Sequence, residues 1–262
     1  ILNLMKISII IATFNAELRL SRCLDSIISQ KTEEIELLII DGGSVDGTLK
    51  LIDSYKGCID FVLTEKDNGI YDAWNKGIRQ AKGEWIMFLG ADDQLMPGAL
   101  GKYLQFICSM EGKICDYISA RINYCNADGR LIKVIGKAWK WSEFKDKMTV
   151  AHVASLHNRS LFNQVGLFDT SYRICADYEL LMRKRDKLAA TFFSEIVASM
   201  ESGGVSFSTA AIKETCRICN YHNENSLLKR CYLFMRKHTE FYFFILKMKL
   251  RKLLHFNLYA GL

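Results

Sequence analysis

The residues best suited to chemistry are two neighbouring carboxylates, Asp92 and Asp93, which follow the apolar run Trp85-Ile86-Met87-Phe88-Leu89 across Gly90-Ala91. Adjacent like charges raise each other's pKa unless a cation or a hydrogen-bond donor offsets them. A divalent ion would do so, because Mg²⁺ or Mn²⁺ takes oxygen ligands and commonly bridges one or two carboxylates to the phosphates of a substrate. As a bare dipeptide the pair also suits a solvated turn, with Asp93 capping a helix through Pro97-Gly98. Its place directly after a buried-looking strand favours the chemical reading.

Two more polar clusters follow apolar runs in the same way. Thr13-Phe14-Asn15 comes after residues 7–12, and Asp41-Gly42-Gly43-Ser44 comes after residues 35–40. The glycines allow tight backbone geometry, and Ser44 or Asp46 can cap the next helix. A turn accounts for the glycines but less well for Asp41, since a carboxylate at a strand's end can accept hydrogen bonds from a base or ribose. Farther along, Asp177 opens a helix that runs through Lys184, a place where Asp most often serves as a cap.

The elements that must hold these clusters are legible from hydropathy. Short β-branched runs at 7–12, 35–40, 60–64 and 85–89 alternate with amphipathic segments at 18–30, 47–56 and 71–82, the pattern of successive βα units. This predicts an α/β fold with an open, mostly parallel sheet flanked by helices, in which ligands bind beyond the carboxyl ends of the strands. The three clusters sit there. Strands are also expected at 117–124 and 131–135 around a turn at 126–129. Trp139 and Trp141 suit either core or sugar platforms.

Bulk properties agree with one catalytic domain and a tail. The chain has 262 residues, 50% hydrophobic and 24% charged, with a single proline, Pro97. That is long enough for one large core. The nine cysteines are scattered and odd in number, so they read as free thiols of a reducing cytoplasm rather than a disulfide framework. Cys216 and Cys219 form an isolated C-x-x-C with no second pair to complete a zinc site. The net charge of +6 is uneven: residues 227–262 carry eight Lys/Arg against Glu240, a net of +7, and the remainder carries −1. Basic residues there interleave with Tyr232, Phe234, Phe241, Tyr242, Phe243 and Phe244, a mixture that suits an anionic membrane interface. The apolar run 241–246 is too short to span a bilayer.

In their order, these motifs resemble the family 2 glycosyltransferases of the GT-A fold, especially bacterial enzymes building O-antigen, capsule or colanic-acid polysaccharide. The likeness covers about residues 6–221 and is carried by Thr13-Phe14-Asn15, Asp41-Gly-Gly-Ser-Val-Asp-Gly-Thr48, Asp67-Asn-Gly-Ile-Tyr-Asp-Ala-Trp-Asn-Lys-Gly77, Gly90-Ala-Asp-Asp93, Gly166-Leu-Phe-Asp169 and Ala176-Asp177-Tyr178. It implies a GT-A catalytic domain over 1–226, with a nucleotide-sugar half to about 112 and an acceptor half from about 113, and a basic helical tail over 227–262. By the same resemblance Thr13, Asn15 and Glu17 lie near the nucleotide and Asp41 contacts the base. Asp67, Asn75 and Lys76 join the donor-binding set, Asp93 and Asp92 hold Mn²⁺ or Mg²⁺, and Asp177 is the catalytic base. Relatives commonly have an acid where Gly90 stands, which makes Asp93 the main ligand and Asp92 more a ribose or neighbouring contact.

The implied reaction is a single displacement with inversion at the anomeric carbon, from a nucleotide-sugar donor, UDP-sugar favoured, to a hydroxyl of an oligosaccharide or polyprenyl-diphosphate-linked acceptor. Lys76 and Arg183 are candidate partners for donor phosphates or an acidic acceptor, and His152 and His157 fall near the acceptor region. The tail fits peripheral contact with the inner face of the bacterial membrane, or else it packs on the domain or forms a homodimer contact. No nucleic-acid partner is expected. A dinucleotide-dependent oxidoreductase is disfavoured, because its G-x-G-x-x-G turn is replaced by Ala12-Thr13-Phe14-Asn15-Ala16-Glu17. A nucleotidyltransferase or a catalytically inactive binding protein remain the alternatives.

Overall fold

A computed structural model describes residues 5–223 and 226–259, with side chains described as far as 247 apart from 244. The first half alternates strands and helices: β1 (Ile7–Thr13), α1 (Leu20–Ile28), β2 (Ile35–Asp41), α2 (Thr48–Ser54), β3 (Phe61–Thr64), α3 (Ile70–Gln80) and β4 (Trp85–Gly90). A two-residue strand β5 (Gln94–Leu95) and helix α4 (Ala99–Ser109) follow. The second half adds β6 (Tyr117–Cys125), β7 (Leu131–Ile135), α5 (Trp141–Phe144), β8 (Ala151–Asn158), α6 (Arg159–Val165), α7 (Ala176–Met182), β9 (Ala190–Glu201), α8 (Thr209–Asn223) and α9 (Leu227–Tyr259).

The described strands form one sheet in the order β3-β2-β1-β4-β8-β6-β9-β5, with β7 paired to β6. It is parallel through β3, β2, β1 and β4, as the sequence predicts. Beyond β4 it becomes mixed, because β8 runs antiparallel to both β4 and β6 while β9 runs parallel to β6. Strands β8 and β9 and helix α4 are not foreseen by the hydropathy reading.

The parallel strands are apolar on both sides, as a sheet covered on each face requires. Ile9, Ile11, Leu37, Ile39, Met87 and Leu89 point to a core shared with Leu24 of α1 and Tyr103 of α4. Their neighbours Ile10, Leu38, Ile40, Ile86 and Phe88 point to the opposite core, with Trp74 of α3, Leu181 of α7 and Ile218 of α8. Fully withdrawing such a side chain from water contributes about 1.5–3 kcal/mol. Helix α3 presses close to the sheet because Gly77 has no side chain: a Cβ there would lie 2.5 Å from Ile10 Cγ2.

One buried carboxylate is structural. Glu36 sits near the amino end of β2, where it accepts from Ser8 Oγ at 2.5 Å, Lys82 N at 2.6 Å and Gly83 N at 3.3 Å. It ties the start of two strands to the turn before β4. Chemistry must lie at the opposite rim.

Candidate active site

Strand register brings the three polar clusters together. Thr13 pairs with Asp41, Asp41 with Thr64, and Ala12 with Gly90. Since strands lie about 4.8 Å apart, Asp41 and the turn after Gly90 are separated by roughly 10 Å, two strand spacings.

Beyond β1 and β2, the residues expected near a nucleotide are bonded mainly to each other. Asp41 is completely buried, and its carboxylate accepts from Thr13 Oγ1 at 3.0 Å, Ser44 Oγ at 2.5 Å, Gly43 N at 3.0 Å and Ser44 N at 2.9 Å. Four donors fill the accepting capacity of a carboxylate. The loop after β1 is stitched to the loop after β2: Asn15 N donates to Ser44 Oγ at 2.8 Å, Val45 N donates to Asn15 Oδ1 at 3.0 Å, and Gly47 N donates to Glu17 Oε2. Asn15 adopts φ 48° to make this return. Asp67 closes the edge, accepting from Gly69 N at 2.8 Å and lying against Gly42.

Asp93 is 4% exposed and accepts from Gly90 N at 2.8 Å. Burial, and after it the charge of Asp92, push its carboxyl from the ordinary 3.8 up to about 7, a rise that the Gly90 hydrogen bond only partly opposes. Asp92 is half exposed and pairs with Arg19 at 3.6 Å. The two carboxylates converge over Gly90, where an added Cβ would lie 2.9 Å from Asp92 Oδ1 and 3.2 Å from Asp93 Oδ2. A side chain at 90 would push them aside.

That geometry fits a divalent cation. Two hard carboxylate oxygens face one hollow, and a cation there would remove the like-charge cost that raises Asp93. Among the described residues no group of three His, Cys, Asp or Glu could hold an ion alone. Mg²⁺-type ions typically draw further ligands from water and substrate phosphate.

A cleft of about 450 Å³ joins this turn to the second half of the chain, with Asp92, Asp93 and Asp177 in one wall system. Asp177 lies in the first turn of α7 and accepts from Tyr71 OH at 3.0 Å. The single hydrogen of that hydroxyl is shared with Ile174 O at 2.6 Å. From the other side, Glu214 of α8 accepts from the backbone N–H groups of Arg173, Ile174 and Cys175 at 2.8–2.9 Å. The segment leading to Asp177 is therefore fixed at both flanks, and no other described side chain donates to the Asp177 carboxylate.

His152 also lines this cleft. Its ring stacks on Phe88 at 5.6 Å and against Trp74 at 5.2 Å, and its buried Nε2 has no partner. Burial lowers its pKa, with the negative charge of Asp177 acting the other way. His157 is completely buried among Phe88, Tyr117 and Phe162, and burial holds it neutral. It does not reach the cleft.

In the structure three of the expected ligand contacts are engaged within the protein. Asn75 is buried and spends its whole amide on Phe168, with Nδ2 donating to Phe168 O and Phe168 N donating to Oδ1, both at 2.9 Å. It clamps the Gly166–Asp169 segment to α3. Lys76 folds back to Glu65 at 3.0 Å, Asp72 at 3.6 Å and Lys66 O at 3.0 Å. Arg183 grips Glu179 and the carbonyls of Val165 and Leu167. Each of these polar groups meets its demand within the protein, as buried groups do. Trp139 packs on Phe144 and Trp141 on Trp139, both partly buried against the core beside α7 and away from the cleft.

The sequence reading misses Tyr71 and Glu201 as cleft-lining residues and Arg19 as the partner of two cleft-lining acids. Tyr71 had a signal, since it falls within the motif running from Asp67 to Gly77 and shares a helical face with Trp74 and Ile78. Arg19 and Glu201 had none.

Comparison with known proteins is consistent with this architecture. The family model of Glycosyl transferase family 2 matches residues 8–166. Over 206 residues the chain is 32% identical to the PGL/p-HBAD biosynthesis glycosyltransferase of Mycobacterium tuberculosis, covering 76% of this chain and 78% of that protein. Among solved structures, S. aureus TarS 1-349 in complex with UDP-GlcNAc superposes with a TM-score of 0.66 at 19% identity, over 87% of this chain and 69% of that one. The chain spans only 41% of a longer TarS structure. Mannosyltransferase PcManGT from Pyrobaculum calidifontis, in complex with GDP-Man and Mn²⁺, gives 0.64 at 16% identity, over 84% and 65%.

Proposed function

Since the chain belongs to glycosyl transferase family 2 and is a glycosyltransferase of GT-A fold, we propose that it moves a sugar, with inversion, from a nucleotide-diphosphate donor to a hydroxyl of a glycan acceptor. The observation that carries this reading is the convergence of Asp92, Asp93 and Asp177 on one cleft of about 450 Å³. Uridine is favoured as the base by the TarS complex with UDP-GlcNAc. The Mn²⁺ complex of PcManGT supports a divalent cation.

In this mechanism Asp177 takes the proton of the acceptor hydroxyl as that oxygen attacks the anomeric carbon. Tyr71 donates to Oδ1, so that Oδ2 is the oxygen left to take the acceptor's proton. Asp93 and Asp92 are the residues that would hold Mn²⁺ or Mg²⁺. When bound, that ion neutralises charge growing on the departing nucleoside diphosphate. The loops joined by Asn15, Glu17 and Asp41 shape the nucleotide end, and a base contact from Asp41 requires it to release one of its four donors. Release of nucleoside diphosphate from a panel of UDP- and GDP-sugars, with Mn²⁺, Mg²⁺ or EDTA and a glycan acceptor, tests the assignment. Activity undiminished by EDTA removes the cation from it.

The acceptor is read as lipid-linked, as in surface polysaccharide assembly at the inner face of a bacterial membrane. Support comes from α9, which exposes Tyr232, Phe234, Met235, Tyr242, Phe243 and Leu246, with Lys247 Nζ over the Phe243 ring at 4.6 Å. No helix among the described residues is long and apolar enough to cross a membrane. The basic charge expected from Lys249, Arg251 and Lys252 falls on side chains outside the described residues. Replacing Phe243 and Leu246 together by Ser is expected to abolish sedimentation with anionic vesicles. Unchanged sedimentation removes the membrane contact.

A further inference from the structure

Arg19 ends the loop after β1, one residue before α1. Its guanidinium reaches two carboxylates from different parts of the chain, Nη1 lying 3.3 Å from Glu201 Oε2 and 3.6 Å from Asp92 Oδ2. Glu201 is the last residue of β9, and both acids line the cleft. Arg19 and Asp92 are each about half exposed, at 49% and 46%. The Arg19–Asp92 pair is a contact in water, readily exchanged for a better one, while Glu201 is the less exposed partner at 21%. A guanidinium fork matches a diphosphate more closely than two monodentate carboxylates, since it can donate two parallel charge-assisted hydrogen bonds to phosphate oxygens.

Asp92 is thus claimed twice. In the donor-free protein Arg19 supplies its positive partner, and over Gly90 its other oxygen faces the hollow shared with Asp93. We propose that Arg19 is an exchangeable counter-ion: it neutralises Asp92 and Glu201 in the empty cleft and passes to the donor's diphosphate on binding, so that Asp92 is freed for the cation and nucleotide binding promotes cation binding. This rests on the reading of Asp92 and Asp93 as the cation-holding pair of a nucleotide-sugar site. By linkage the promotion is mutual: whatever factor the nucleotide adds to cation affinity, the cation adds to nucleotide affinity. Glu201 has the complementary part, holding Arg19 at the rim in the absence of donor.

The test is Mn²⁺ binding to the full chain, read from loss of the free-ion EPR signal, with and without UDP or GDP and corrected for Mn²⁺ held by free nucleotide. In the wild type, nucleoside diphosphate should tighten Mn²⁺ binding by about tenfold or more, within the usual range of coupling between sites. Arg19→Met should bind Mn²⁺ alone more tightly than wild type, bind nucleotide more weakly, and show clearly smaller coupling, keeping what direct ligation of the ion by phosphate oxygens supplies. Arg19→Lys keeps the charge without the fork and should retain only part of it. Wild-type coupling in both variants overturns the proposal while leaving the site intact, because the wild type still binds both ligands. Should Arg19→Met fail to fold, undiminished coupling in Arg19→Lys overturns it by itself. A wild type that takes up nucleotide and no Mn²⁺ overturns the cation site and the proposal together.

Discussion

Asp177→Asn should lower kcat by about 10²–10⁴-fold, the range lost when a positioned general base is removed, and should leave the KM for donor within about threefold. The substitution keeps nearly everything but the proton acceptor. Asn has the same shape, its carbonyl oxygen can still accept from Tyr71 OH, and the backbone before it stays fastened by Glu214. What disappears is the basic oxygen that receives the acceptor's proton. Steady-state kinetics of nucleoside diphosphate release separate the two quantities. A variant with full kcat refutes the base assignment, and one whose donor KM rises with kcat unchanged places Asp177 in donor binding.

The second large effect concerns Asp93. Asp93→Asn should reduce kcat/KM with saturating Mn²⁺ by about 10²–10³-fold, comparable to losing one preorganised charge contact to a developing anion. Its pH behaviour gives a sharper signature. A carboxyl held at about 7 by burial and by Asp92 must shed its proton to bind a cation. Mn²⁺ affinity should therefore fall about tenfold per pH unit below about 7 and level off above it. Calorimetry across pH 5–9 checks this, and a flat profile would show that Asp93 is not a ligand.

Stability should move in the opposite direction. The folded pKa of about 7 stands above the ordinary 3.8, so between those values the folded protein binds more protons than the unfolded chain. The stability that Asp93 contributes is therefore complete below about pH 4 and lost as pH rises to about 7. Metal-free wild type should decline in Tm over that window, while Asp93→Asn should lack the decline and be the more stable protein above pH 7. A site that is costly to the fold and valuable to chemistry behaves in this way.

Much of the framework could be read from local sequence. The continuous β-branched runs and the amphipathic segments between them specify βα units, and a polar residue placed directly after such a run has to emerge at the carboxyl rim. Thr13, Asp41 and Asp92–Asp93 are legible for that reason. The helix beginning at Ala176 was legible too, and with it the place of Asp177. Side-chain partners were not. Asn75 and Lys76 share a helix with Tyr71, yet Asn75 turns to Phe168, Lys76 to Glu65, and Tyr71 to Asp177, 106 residues away. No periodicity in α3 separates a ligand contact from a clamp.

By itself, the sequence determined the parallel half of the sheet, the rim on which its carboxylates stand, and the spacing that relates the chain to its family. It could do so because strand alternation, helix periodicity and the exit of each strand are local matters. Tertiary structure alone decided which carboxylates share a cleft, that Gly90 leaves a hollow between Asp92 and Asp93, that Asp41 is saturated by its own loop, and that Arg19 spans Asp92 and Glu201. The shared cleft and the Arg19 bridge depend on β8 entering antiparallel beside β4 and on β9 returning beside β6. Such pairings between distant segments are selected by the packing of whole faces, and no short stretch of the chain encodes them.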